Sequence, residues 1–361
     1  PTPPAQESRG LGDVYKRQEL TMNKLTKIGA SALCGSLAAF SAQAGEMSVS
    51  GSMQATYQSE VDDVTGNPLG MNTDLTFTGS TDTDFGTATW TMGTDGTFLG
   101  ESGADHKLTL ATDVGTFKIG NSGDSANAVD DITPSAFEEA NGSGSGTYSS
   151  DFGSGMEGSM SVGYALSDVM GTGVSVDYTY YPKLDGTTNN EKGSSTNDNA
   201  GVMSAQSINL GIPLSGLPII GDSPIGGAKI TLGYENSDAM NSAFQPKEGA
   251  TIAVNLPVGP LSVGVQKKAY TTVQTTAAAK EVYKDEIIGV AYALNDDFAI
   301  SYNIYESAQS NLDGVNDEQE TKAINIAYTV GGLTLGFQDA KTSNAGYSDG
   351  TDDDTRTLSI K

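Results

Sequence analysis

His106 is the single histidine of the chain and Cys34 its single cysteine, so the side chains that most often move protons, attack carbonyls or bind zinc are nearly absent. A Ser-His-Asp triad or a His-rich zinc site has little to build on. His106 stands beside Lys107 at a loop-to-strand junction and is expected to be solvated or interfacial. Residues 153–158, GSGMEG, match the G-x-G-x-x-G spacing of a dinucleotide loop. That loop needs a following helix to aim its N-terminus at a pyrophosphate, and here an apolar–polar alternation follows instead. Two acidic runs, DGVNDEQE (313–320) and DGTDDD (349–354), lack the spacing of an EF-hand and read as solvated loop charge. These residues point to no enzyme, no cofactor and no metal.

What remains is charge without catalytic partners. Within the 121–153 stretch, NSGDSANAVDDITPSAFEEANGSGSG (121–146) carries Asp124, Asp130, Asp131, Glu138 and Glu139 and no Lys or Arg. Elsewhere the alternation places Lys107, Lys118, Lys229 and Lys268, with Asp74, Glu157, Asp177 and Glu235, on the polar faces of extended segments. Carboxylates facing scattered lysines across a narrow aqueous space can set a transverse field and select solutes by charge at close quarters. The plain alternative is that these residues only keep a polar surface hydrated, which a generally acidic chain would do anyway.

The elements that must position these charges are strands. In GEMSVSGSMQATYQSE (45–60), Met47, Val49, Gly51, Met53, Ala55 and Tyr57 share one parity, and Ser48, Ser50, Ser52, Gln54, Thr56 and Gln58 the other. Period two marks a strand with unlike faces. The pattern recurs at Leu75–Phe77, Ala88–Met92, Met156–Tyr164, Val174–Tyr180, Ile230–Tyr234 and Ile252–Leu256. It returns at Leu261–Val265, Phe298–Ile304, Ile324–Val330, Leu333–Phe337 and Leu358–Ile360. No stretch has convincing helical periodicity. Tight joints (81–86, 112–115, 257–260, 295–297, 331–332) alternate with longer polar segments (58–70, 182–201, 272–281, 308–319, 342–354). Short turns on one side and long loops on the other is the connection rule of a transmembrane β-barrel. Parity then makes 121–153 one external excursion, 167–173 and 213–227 turns, and the total about 16 strands, even as such barrels require.

A closed barrel is the sheet that can cross a bilayer, because it leaves no edge unpaired. Met, Val and Ala then face lipid; Ser, Gln and Thr face a watery lumen. Tyr57, Trp90, Tyr164, Tyr178, Tyr234 and Tyr328 suit the interfacial aromatic girdles. A soluble sandwich would also alternate, but its inner face should be rich in Leu, Ile and Phe, whereas many apolar positions here are Ala, Gly and Met.

Residues 22–44, opening at Met22 with Lys24 and Lys27 and closing on Ala42-Gln43-Ala44, have the form of a cleaved secretory signal peptide, which would remove Cys34. Upstream, RGLGDVYKRQ resembles the conceptual translation of a sequencing adapter, and 1–21 is set aside as non-native. Residues 45–361 carry 14 Lys or Arg against 42 Asp or Glu, a net −28. That excludes nucleic acid as a partner, which requires a basic stripe.

With its signal peptide, its first strand SVSGSMQATYQ, a long excursion after the fifth strand and an even strand count, the chain over 22–361 resembles the general bacterial outer-membrane porins. The resemblance implies a homotrimer of barrels of about 16 strands each. Each would be a passive pore for small hydrophilic solutes, set among outer-membrane lipid and lipopolysaccharide. The third external loop would fold inward as a constriction, bringing Asp124, Asp130, Asp131, Glu138 and Glu139 to the narrowest point. Cation preference follows; an adhesive or structural barrel is the alternative. Porins typically end in an aromatic residue, whereas TRTLSIK ends at Lys361, so a few further residues are expected.

Overall fold

The computed structural model describes residues 46–60, 66–94, 105–121, 125–140, 152, 156, 159–184, 202–216, 225–239, 246–271, 282–310 and 316–361. The stretches read as upstream translation and export signal, 1–44, lie outside them, as do Asp124 and Glu157.

Sixteen antiparallel strands close into one barrel in which every neighbour in sequence is a neighbour in space. They are β1 (Glu46–Glu60), β2 (Leu69–Thr83), β3 (Gly86–Thr94), β4 (Asp105–Thr112), β5 (Gly115–Gly120), β6 (Ser161–Leu166), β7 (Ser175–Tyr181) and β8 (Val202–Pro213). The second half holds β9 (Lys229–Ala239), β10 (Glu248–Val258), β11 (Leu261–Thr271), β12 (Val282–Ala293), β13 (Phe298–Ser310), β14 (Asn316–Val330), β15 (Leu333–Ser343) and β16 (Asp353–Ile360). Closure joins β1 to β16 in the register Ala55↔Ile360 through Glu60↔Thr355.

Register carries the sequence alternation around the wall. Met53 lies opposite Thr73, Ala55 opposite Met71 and Trp90 opposite Leu108, all on one face. That face is exposed: Val49 is 57%, Ile324 46% and Leu358 53% accessible. A continuous apolar belt of this extent would aggregate a water-soluble protein. On a barrel it is the lipid face, and aromatic pairs such as Phe117–Tyr164 and Phe298–Tyr328, 5.2 and 6.2 Å between centroids, sit near its turn-side edge.

Two tight turns are built on the same Thr-Asp-apolar-Gly pattern. In Thr83-Asp84-Phe85-Gly86, Thr83 Oγ1 donates to the Gly86 carbonyl at 2.7 Å and accepts from the Phe85 amide at 3.2 Å. Thr112-Asp113-Val114-Gly115 repeats this at 2.8 and 3.2 Å. Both glycines hold positive φ, 138° and 129°, which side chains resist.

Two expectations need correction. The alternation at 156–164 predicts a strand from Met156, but β6 begins at Ser161 and Met156 is fully buried among interior residues. Three glycines (153, 155 and 158) weaken strand propensity there, and the flexible thioether fills an interior gap instead. The polar composition of 308–319 predicts a loop, yet β13 runs to Ser310 and β14 starts at Asn316. Their ladder continues through Ala308↔Glu318 and Ser310↔Asn316, so polar composition did not end the pairing.

Candidate functional site

The segment 125–140 lies along the inner wall from β8 to β15, held by a row of amides that alternation places on the polar face. Asn209 Nδ2 donates to the Ser125 carbonyl at 2.7 Å, and Gln266 Nε2 to those of Val129 and Asp130 at 2.8 and 2.6 Å. Asn255 reaches the Ile132 carbonyl at 2.8 Å, Asn303 that of Pro134 at 2.9 Å, and Gln338 that of Glu139 at 3.0 Å. Glycines let the backbone come this close. A Cβ on Gly264 or Gly289 would meet Pro134 at 2.3 or 2.6 Å, and one on Gly336 would meet the Phe137 ring at 2.4 Å. Each such bond contributes about 1 kcal/mol net, so the row fixes the segment collectively.

Accessibility then divides the interior. Under the segment, Gln266, Asn325, Gln338 and Asn303 are at most 2% exposed. On β1 to β5 the inward Ser52, Gln54, Asn72, Asp74, Thr89, Lys107 and Lys118 are half-buried, bordering open space. The covered half holds an interior cluster of Val129, Phe152, Met156, Tyr181, Tyr270, Tyr283 and Tyr347. Tyr270 stacks on Tyr283 at 5.4 Å, and the Tyr347 hydroxyl lies 2.8 Å from Ser307 Oγ. Tyr347 adopts φ 58°, a conformation a bulky residue resists, and its burial in this cluster holds it there.

The charged residues fall into three groups. Lys268 Nζ is fully buried, 2.9 Å from Asp130 Oδ1 and 3.6 Å from Asp285 Oδ2. Asp130 Oδ1 also accepts the Phe152 amide at 2.8 Å. Lys118 pairs with Asp177 at 2.5 Å, and Lys247 with the buried Glu235 at 3.4 Å. The expected array of scattered lysines is therefore partly neutralised on the wall itself. Asp74, by contrast, is held on the open wall by Ser52 Oγ at 3.0 Å and Asn72 Nδ2 at 3.1 Å. Lys107 faces inward from β4, and Lys229 is exposed at the turn-side end of β9.

On the segment itself, burial pushes the Asp131 carboxyl up to about 7; nearby Lys268 opposes this, and Glu139 and Asp130 add to it. Its Oδ2 is buried without a hydrogen-bond partner. Burial also raises Glu138 above the usual carboxylate range, with Lys361 opposing. Glu139 is exposed. His106 is exposed on the outer face opposite Met92. Among the described residues no group of three or more His, Cys, Asp or Glu is placed to hold a metal ion.

Sequence reasoning located the acidic segment but missed its cradle and the interior aromatic cluster. A signal for both was present. Gly264, Gln266 and Tyr270 on β11, Gly289 and Tyr283 on β12, and Asn303 and Tyr305 on β13 all stand on the inward parity.

A porin structure refined at 1.8 Å superposes with TM-score 0.62 at 14% identity, covering 87% of this chain and 99% of that one. The trimer form of OmpT from Vibrio cholerae gives 0.62 at 12% identity, covering 88% and 99%. An anion-selective porin from Comamonas acidovorans gives 0.59 at 9% identity, covering 87% and 99%. At such identities the likeness concerns the fold. A search of curated proteins finds no match. The Gram-negative porin family profile matches residues 29–360, the whole closed barrel included, and the chain belongs to that family of the outer membrane.

Proposed function

We propose that the barrel is a water-filled channel through which small hydrophilic solutes diffuse passively, without covalent chemistry, and that it prefers cations. The observation that carries this is the half-exposed polar wall of β1 to β5 bordering open space, with the acidic segment laid along the opposite wall. Asp130 is balanced by Lys268 and Asp131 is partly protonated near neutrality, so the preference rests chiefly on Glu138 and Glu139 at the constriction, with Asp74 on the open wall. With residues 45–361 at net −28, the outer loops add a cation-concentrating mouth that salt screens over about 8–10 Å.

The outer surface supports the remaining parts of the reading. Among the described residues, the outward positions of β1 to β8 carry no Asp, Glu, Lys or Arg, so part of this apolar belt can pack against a second and third copy in a homotrimer in place of lipid. Outward positions on β11 to β16 carry ion pairs toward the loop side, among them Lys267–Glu286 at 2.7 Å, Lys341–Asp354 at 3.0 Å and Arg356–Asp339 at 3.0 Å. These suit the headgroup level of lipopolysaccharide. Residues 22–44 serve as the export signal, leaving 45–361 as the porin barrel. Purified protein in a planar bilayer should give stepwise conductance, with a cation-sign reversal potential under a salt gradient. A folded, inserted barrel that never conducts would refute the channel, and an anion-sign potential would refute the preference.

A further inference from the structure

We propose that Lys268 is the positioning residue of the constriction: it tethers the acidic segment to the wall and withdraws two carboxylates from the solute path. This rests on the channel reading above. Lys268 Nζ lies fully buried between one carboxylate of the segment, Asp130 at 2.9 Å, and one of the wall, Asp285 at 3.6 Å. The wall partner is itself fixed, since Ser307 Oγ donates to Asp285 Oδ1 at 2.6 Å. Two tyrosine rings close the site, with Nζ 6.0 Å from the Tyr270 centroid and 5.7 Å from that of Tyr305. An ammonium shut away from water and gripped from both sides cannot exchange partners with passing ions, unlike a lysine on the open wall.

The rest of the cradle consists of neutral amide and hydroxyl contacts, each weak and individually replaceable by water. The ion triad is different in kind. Removing the lysine alone leaves two uncompensated carboxylates, one on the segment and one on the wall beneath it, which must separate or draw in water and counterions. Lys268 therefore acts on selectivity twice, by geometry and by charge, without touching the solute.

The test uses the full chain refolded in detergent and inserted in planar bilayers. Three variants are compared: K268M, the conservative K268R, and the charge-neutral D130N/D285N/K268M, which avoids buried unpaired charge and so protects folding. Hydrogen–deuterium exchange of the peptide covering 125–140 reads the tether independently of conduction. K268M and the triple variant should both exchange there about tenfold faster than the parent and show flickering conductance. Reversal potential should move toward greater cation preference only in K268M, and K268R should restore the parent on every readout. Unchanged exchange in both K268M and the triple variant overturns the inference whether or not the barrel conducts. A quiet bilayer with the parent overturns the channel reading instead and leaves the tether to be judged by exchange.

Discussion

Asp131→Asn should stabilise the barrel, and more so as pH rises. In the folded chain the Asp131 carboxyl is pushed from 3.8 to about 7 by burial. Between those values the folded state keeps a proton that the unfolded chain releases, so stability falls as pH rises through this window and levels off above it. The rise from 3.8 to about 7 corresponds to roughly 4 kcal/mol. That is an upper figure, because the residue keeps some contact with lumen water. Asparagine removes the ionisation and keeps an acceptor for Thr133 Oγ1, which donates to Asp131 Oδ1 at 3.3 Å. Urea unfolding followed by Trp90 fluorescence at pH 5 and pH 8.5 would measure it. The parent should lose on the order of 2–4 kcal/mol between the two conditions, and the variant much less. Equal losses in both would show that Asp131 ionises freely and that its buried, unpartnered oxygen is not a real constraint.

Further outcomes follow from the wall. Gly336→Leu drives a side chain into the Phe137 ring and should cost about 1–3 kcal/mol while lifting the segment, read as raised single-channel conductance. Ile326→Lys on the lipid face should cost about 2–4 kcal/mol if it lies near the bilayer midplane. Thr89→Lys on the open inner wall should leave stability nearly unchanged and lower the cation preference in reversal-potential measurements. Gly86→Ala must adopt φ 138° with its Cβ 1.9 Å from the Ala111 carbonyl; slower refolding and a lower unfolding midpoint are expected.

The barrel was legible in the sequence because period two recurs along most of its strands, even though β8 shifts register between Val202 and Ala205. A one-residue slip would turn Met53 and Ala55 into the lumen and Gln54 into lipid, so the register is forced by the two solvents. The even strand count followed from the alternation of short and long joints. The interior was harder to read. Lys118 and Lys268 both fall on the inward parity, but whether a lysine stands in water or under another segment depends on what folds over it. Parity cannot distinguish Lys107, bordering open space, from Lys268, sealed by Asp130 and two tyrosines. Met156 shows the same limit. Its alternation with Glu157 and Ser159 is that of a strand, and long-range packing beside Phe152 overrides it. The Gly and Asn positions of the cradle look like weak strand residues until the segment they accommodate is in place.

The most direct measurement is reversal potential under a tenfold gradient of potassium chloride at low ionic strength, for the parent and for D130N/D131N/E138Q/E139Q. The parent should give a cation-sign potential and the variant a shift toward zero, most of which E138Q/E139Q alone should reproduce. An unchanged potential in the fourfold variant would contradict this, placing selectivity in the outer loop charge rather than in the acidic segment on the inner wall.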